Sequence, residues 1–211
     1  MTEESIQSGK FITIEGTEGV GKSTNIAFIE AQLKAAGKKV VLTREPGGTP
    51  LAEELREVLL KKRDEAFDPT AELLLMFAAR AQHLNEVILP AVARGEWVLC
   101  DRFTDATFAY QGYGRELGTE NIRLLEKLVQ GDTHPDVTFY LDIDVEIGLQ
   151  RAKDRGELDR FESEHIAFFE RVRKGYLARV EENPGRYFMV DASKTLEEVQ
   201  RDIGLCVKEL V

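Results

Sequence analysis

Five short runs are apolar at nearly every position: Phe11-Ile12-Thr13-Ile14, Val40-Val41-Leu42-Thr43, Trp97-Val98-Leu99-Cys100, Val137-Thr138-Phe139-Tyr140-Leu141 and Tyr187-Phe188-Met189-Val190. Continuous apolar runs of this length predict strands covered on both faces, as in a parallel sheet. Between them the apolar positions recur with helical spacing. Asn25 to Glu30 reads as a helix. Leu51, Leu55, Val58 and Leu59 would share one helical face, as would Val145, Leu149 and Ala152, and later Leu196, Val199, Ile203 and Cys206. Gly37 and Gly95 stand just before strands, where helices are expected to end. Strand–helix alternation throughout predicts a doubly wound α/β fold, a five-stranded parallel sheet with helices on both faces. No internal repeat, low-complexity tract or linker interrupts it. Residues 11–211 read as a single domain and residues 1–10 as a flexible N-terminal tail.

Composition narrows the function classes. The chain has 211 residues, 43% hydrophobic and 31% charged, ordinary for a globular domain with a substantial core. A formal net charge of −10 argues against non-specific nucleic-acid binding, although local arginines can still hold a small anion. The two cysteines, Cys100 and Cys206, lack metal or redox spacing and suit core packing in a reducing cytoplasm. Met1 to Lys10 is polar, and no secretory or membrane segment is recognisable, so no membrane partner is expected.

The chemistry starts where the first strand ends. Gly16-Thr17-Glu18-Gly19-Val20-Gly21-Lys22-Ser23 fits G-x-x-x-x-G-K-[ST], set between a strand and a helix. Its glycines let backbone N–H groups converge on oxygen anions, and the helix N-terminus adds positive charge. Lys22 would reach the β/γ-phosphates and the Ser23 hydroxyl would ligate Mg²⁺. The expected ATP-binding stretch is Gly16, Thr17, Glu18, Gly19, Val20, Gly21, Lys22, Ser23 and Thr24. Ligands in such folds sit beyond the carboxyl ends of the strands. The second strand runs into Thr43-Arg44-Glu45-Pro46-Gly47-Gly48, which reads equally as a charged site loop or an exposed turn. The third ends in Asp101-Arg102, a Walker-B-like carboxylate for Mg²⁺ beside a guanidinium able to grip phosphate. Met76, Phe77 and Arg80 lie on neighbouring turns of a largely apolar helix and suit a flat, carbonyl-bearing heterocycle; His83 reads as a surface residue. Residues 151–162 hold four basic and four acidic side chains broken by Gly156, a closing lid or a solvated helix.

Together these segments resemble the thymidylate kinases, within the P-loop nucleoside-monophosphate kinases. The resemblance rests on the loop at Gly16–Ser23, the Thr43–Gly48 segment, the helix ending Phe77-Ala78-Ala79-Arg80, Asp101-Arg102-Phe103, Ala109-Tyr110-Gln111-Gly112 and Arg155-Gly156-Glu157-Leu158-Asp159-Arg160. It covers nearly the whole chain. It implies ATP-dependent, Mg²⁺-assisted phosphorylation of dTMP to dTDP by a homodimer in the cytoplasm, for dTTP synthesis. By the same resemblance Glu18 would approach the deoxyribose 3′-hydroxyl, and Arg44, Arg56 and Arg102 the acceptor phosphate. Arg80 would donate to thymine O4, and Thr107 and Gln111 would face N3. Tyr110 would pack under the sugar and crowd a ribose 2′-hydroxyl. Asp159 and Glu162 would close the dTMP site. The phosphate loop carries Glu18-Gly19-Val20 with no arginine, so Arg155 of the lid would reach the transferring group, as in the bacterial type. Catalysis would fall to Lys22, Asp101, Arg102 and Arg155. The family places an aromatic four residues before the thymine-contacting arginine. That position is Met76 here, with Phe77 one step later, so either covers the base.

No Ser-His-Asp or Cys-His set is present, in keeping with a transfer that relies on charge neutralisation and positioning. The competing expectations are another acceptor on the same fold, or a nucleotide-driven switch. Asn-Lys-x-Asp, the usual base-reading motif of GTP-binding switches, is missing.

Overall fold

A computed structural model describes residues 9–154 and 159–211. Residues 1–8 of the expected tail, and Arg155 to Leu158 of the expected lid, lie outside the described residues. Five parallel strands form one sheet: β1 (Phe11–Glu15), β2 (Val40–Arg44), β3 (Trp97–Asp101), β4 (Val137–Asp142) and β5 (Tyr187–Asp191), in the order β2-β3-β1-β4-β5. Each apolar run is one of these strands. The helices are α1 (Lys22–Ala35), α2 (Pro50–Leu60), α3 (Pro69–His83), α4 (Leu89–Ala93), α5 (Thr104–Thr107), α6 (Glu120–Gln130), α7 (Val145–Lys153), α8 (Ile166–Glu182) and α9 (Leu196–Leu210). The doubly wound α/β architecture is as expected from the alternation.

The strands divide their residues between two cores. Ile12, Ile14, Leu99, Phe139 and Leu141 face α1 and α9, where Ile29, Leu33 and Ile203 meet them. Phe11, Val98 and Cys100 face the other side, against Leu84 and Ile88, while Tyr140 packs with Phe168, Phe169 and Tyr176. A strand buried on both faces needs apolar residues at both parities, which is why the runs are continuous. Both cysteines are free, Cys100 buried and Cys206 half-buried.

Sequence also sets the helix starts. Asp68, Asp144 and Thr195 accept from backbone N–H groups of the first turns of α3, α7 and α9, and Thr195 with Glu198 completes a reciprocal capping box. Gly37 and Gly95 take positive φ just after helices, as expected.

Some sequence expectations need correction. In α2 the inward residues are Ala52 and Leu59, while Leu51 and Val58 point to solvent; Leu196 of α9 is likewise exposed. Helical spacing put these residues near the right face, but α2 packs against α3 and buries only Ala52 and Leu59. Gly9 and Lys10, assigned to the loose tail, are bound: Gly9 N–H donates to the Val92 carbonyl and Lys10 Nζ to the Leu210 carbonyl at 2.9 Å. Arg151 to Lys153, assigned to the lid, form the last turn of α7.

Candidate functional site

The carboxyl ends of β1, β2 and β3 open into a cleft of about 1010 Å³, counting its mouth. The phosphate loop forms one wall. Gly19 and Gly21 have φ of 74° and 84°, and a Cβ on Gly19 would lie 1.9 Å from the Gly148 carbonyl oxygen. Only glycine fits that close approach. Helix α1 starts at Lys22 without a side-chain cap and without an acidic residue in its first turn. Its leading N–H groups and the positive end of its dipole are therefore open to an anion.

Glu18, Gly19, Val20, Gly21, Lys22 and Ser23 line the cleft. Gly16 and Thr17 sit behind this wall, Thr17 buried, and Thr24 is exposed on the first turn of α1. Lys22 Nζ lies 3.5 Å from the Thr17 carbonyl oxygen. Burial, with Arg102 close by, draws the Lys22 pKa below the usual lysine value, against the pull of Glu18, Asp101 and Glu15.

The next residues come from the end of β3. Asp101 and Arg102 both line the cleft. Arg102 has φ of 69°, unusual for a side chain with a Cβ and a strain of the kind found at functional sites. Its guanidinium pairs with Glu18 Oε1, reaches the Tyr176 hydroxyl at 3.2 Å and stacks 4.8 Å over the Tyr110 ring. Burial disfavours its charge, but Tyr110, Glu18, Tyr176 and Asp101 hold its pKa well above the usual arginine value. The ion-pair partner of Arg102 is thus Glu18 and not the adjacent Asp101. Tyr110 donates to Glu18 Oε1 at 3.0 Å, its phenol pKa pushed up by burial.

Asp101 Oδ1 is buried without a hydrogen-bond partner among the described residues. Among the described residues no three His, Cys, Asp or Glu side chains cluster to hold a metal alone. That donor set fits Mg²⁺, which usually takes one or two protein oxygens plus water and substrate phosphate. Asp101 with the Ser23 hydroxyl, on the same cleft wall, supplies such oxygens.

A third wall comes from α3 and the segment after α5. Arg80 is only 2% exposed. Its Nε donates to Glu45 Oε2 at 2.7 Å and its Nη2 to Thr107 Oγ1 at 2.9 Å. Its Nη1 is buried with no partner among the described residues. Such a donor is costly unless a ligand acceptor meets it. Gln111 and Tyr110 sit on a π-helical stretch, Phe108–Gly114, that continues α5. Wide turns of this kind are rare and concentrate at functional sites.

Several assignments change. Met76 lines the cleft, whereas Phe77 is buried behind it with Leu73, Phe108 and Ile122. The register of α3 turns Phe77 towards α6 and away from the cavity. His83 is fully buried, not on the surface: Nε2 meets Thr43 Oγ1 at 2.6 Å and Nδ1 meets Glu45 Oε1 at 2.9 Å. Arg44 does not line the cleft; it is exposed and bound to Glu53 Oε2 at 2.8 Å. Arg56 does line it, held by the Pro46 carbonyl at 2.9 Å, after a cis Glu45–Pro46 bond. Asp159 and Glu162 line it too, each accepting the other's backbone N–H.

Sequence reasoning missed Glu15 and Glu72, and left Glu45 undecided. A signal existed for Glu72: with Met76, Arg80 and His83 it recurs every three or four residues on one face of α3. Glu15 ends β1 fully buried, accepting from Phe103 N–H at 2.7 Å and the Tyr176 hydroxyl at 2.8 Å. Burial above all, then the Asp105 charge, pushes its pKa up to about 8, against Arg102, Tyr176 and the Phe103 amide. From the ordinary carboxylate value of 4.5 up to about 8, the folded chain keeps a proton that the unfolded chain has lost. Stability therefore falls as pH rises across that window. Thermal unfolding from pH 5 to 8.5 should show this decline, and Glu15→Gln should flatten it; equal slopes for both proteins would refute the assignment.

A family model for thymidylate kinase matches residues 14–203. The chain is 64% identical to the thymidylate kinase of Teredinibacter turnerae over 196 residues, 93% of this chain and 96% of that protein. It is 59% identical to that of Pseudomonas savastanoi pv. phaseolicola over 204 residues, 97% of each. With the thymidylate kinase of Pseudomonas fluorescens the identity is 58%, again over 97% of each chain.

Proposed function

Because this chain belongs to the thymidylate kinase family, and so phosphorylates dTMP to dTDP with ATP in dTTP synthesis, we propose that both nucleotides meet end to end in this one cleft. The observation that carries the reading is the pairing of an uncapped helix start beside Lys22 and Arg102 with a buried Arg80 whose Nη1 is unmatched. The first set suits polyphosphate. The second suits a base carbonyl.

In this reading the backbone of residues 16–24 and Lys22 hold the ATP phosphates. Ser23 and Asp101 hold Mg²⁺, which when bound draws negative charge off the phosphates. The acceptor phosphate lies against Arg102 and Arg56. Arg44, spent on Glu53, acts there only after a change of partner. Glu18 and Tyr110 face the deoxyribose. Met76 covers the base, Arg80 donates to O4, and Thr107 and Gln111 lie on the N3 side. Asp159 and Glu162 close the site.

The acceptor phosphate has a second pKa near 6, so at pH 7 it is mostly dianionic and needs no general base. An acceptor oxygen forms the new bond to the γ-phosphorus as the bond from that phosphorus to the β–γ bridging oxygen breaks, releasing ADP. The task left to the protein is to align two polyanions and neutralise them.

Arg155 takes the cationic lid role. The phosphate loop has no arginine. Arg151, in α7, donates to the Ala192 carbonyl at 3.0 Å, and Arg160 donates to the Leu59 carbonyl at 2.7 Å with its guanidinium over the Phe161 ring. Arg155→Ala is expected to lower kcat about a hundredfold while changing dTMP affinity little, since the contact forms in the transition state. An unchanged kcat in steady-state assays would remove Arg155 from the mechanism.

The single domain spans residues 9–211 with its lid following α7, near residues 154–162, and the working form is a homodimer. Leu74 on α3, and Leu124 and Leu128 on α6, are exposed on two helices that pack together, an apolar face suited to a second copy. The enzyme works in the cytoplasm, with neither nucleic acid nor membrane as partner. No helix among the described residues is long and apolar enough to cross a membrane.

ADP release measured with dTMP, dUMP, dCMP, dGMP and AMP tests the base assignment. dTMP should be the best acceptor. dUMP should follow with a kcat/KM about tenfold or more lower, because one methyl is worth only roughly 1–3 kcal/mol. Equal rates with dCMP would contradict the Arg80 role.

A further inference from the structure

Glu72 has no part in the family resemblance or in the reading above, yet it is fully buried one turn before Met76 and two turns before Arg80. Three side chains converge on it. Gln111 Nε2 donates to Oε1 at 2.8 Å, Arg115 Nε reaches the same oxygen at 3.3 Å, and Arg160 Nη2 lies 2.6 Å from Oε2. Arg115 and Arg160 reach it from the π-helical stretch and the lid side respectively.

We infer that Glu72 is a specificity-determining positioning residue: by accepting from Gln111 Nε2, it fixes the Gln111 amide so that Oε1 faces the base as an acceptor. The inference rests on the reading of Gln111 as the N3-facing residue. A side-chain amide has one accepting and one donating end, and local hydrogen bonding decides which end a ligand meets. A carboxylate facing two guanidinium groups only accepts. The reversed amide would set Gln111 Oε1 against Glu72 Oε1, two acceptors with no proton between them. Gln111 is 1% exposed, so no water shell compensates a reversal.

The result is an ordered pair on the cleft wall. Arg80 Nη1 offers a donor and Gln111 Oε1 an acceptor. Thymine presents O4 as acceptor and N3–H as donor, which match both. Cytosine presents an exocyclic amine and an unprotonated N3, which match neither. Glu72 therefore controls half of the discrimination without touching the substrate.

The experiment compares kcat/KM for dTMP and dCMP in the full-length enzyme and its variants. Glu72→Gln presents either end of an amide, so Gln111 is free to turn. The dTMP-to-dCMP ratio should fall about tenfold or more, since mismatched buried polar groups dominate such discrimination. Glu72→Asp keeps an acceptor but withdraws it by one methylene, and should lower the ratio by a smaller factor, about threefold. Arg160→Gln removes the lid contact while leaving Gln111 held, and should leave the ratio unchanged. In a Gln111→Ala background, Glu72→Gln should move the ratio no further. A purely structural role would lower activity with both nucleotides together and leave their ratio alone.

If Glu72→Gln keeps the parent ratio while Gln111→Ala collapses it, the inference is overturned and the reading of Gln111 stands. If Gln111→Ala itself keeps the ratio, that reading falls and takes the inference with it. Should Glu72→Gln fail to fold, Glu72→Asp decides: an unchanged ratio overturns the inference and a lowered one supports it.

Discussion

Arg102→Ala is expected to lower kcat/KM for dTMP about a thousandfold, the largest catalytic effect of any single substitution outside Lys22. Removing one preorganised charge contact in a closed site costs about a hundred- to thousandfold. Here the loss is compounded, because Arg102 also holds Glu18 and stacks over Tyr110, the two groups proposed to face the sugar. The backbone offers a control. At φ of 69° alanine keeps the strain and glycine relieves it. Arg102→Gly should therefore lose the same activity while being more stable than Arg102→Ala by about 1 kcal/mol or more. Steady-state kinetics and thermal unfolding of the two variants test both parts. Retention of more than a tenth of the parent activity would show that Arg102 does not meet the transferring phosphates.

Glu45→Ala is expected to destabilise the fold by about 3–5 kcal/mol, the usual cost of removing one partner from a buried ion pair. Glu45 is 5% exposed and accepts from both Arg80 and His83. Its loss leaves the Arg80 guanidinium buried without a carboxylate and His83 Nδ1 without its neighbour. At about 2–4 °C per kcal/mol for a chain of this size, Tm should fall by roughly 10 °C. Base reading should suffer as well, because Glu45 and Thr107 together aim Arg80. Glu45→Gln keeps an acceptor of the same shape and should lose less. A Tm within about 2 °C of the parent in Glu45→Ala would mean that Arg80 is not held by this pair.

The strands, the sheet and the phosphate loop were legible because each depends on local pattern. A doubly covered strand must be apolar at both parities, and a phosphate loop must have glycine where φ is positive. Asp101 and Arg102 followed from the rule that strand ends carry the site. The buried polar layer was harder. Glu45, Glu72 and His83 are charged or polar residues on an apolar helix or in a turn, and sequence alone makes them surface residues by default. Their burial depends on partners distant in the chain: Glu45 with Arg80 and His83, Glu72 with Gln111 and Arg160. The choice between Met76 and Phe77 turned on helix register against α6, and the cleft residues at Phe108–Gly114 on a widened turn. Neither leaves a local trace. That Arg44 is bound to Glu53 was not legible, because an arginine next to a site reads the same whether it faces phosphate or a carboxylate.

The most direct measurement is a crystal structure with adenosine and thymidine joined through a chain of five phosphates. One molecule should span the cleft, its phosphates within hydrogen-bond distance of Lys22 and Arg102 and its thymine O4 against Arg80. Electron density showing both side chains turned away from every phosphate, or thymine outside the Arg80–Gln111 wall, would contradict the account.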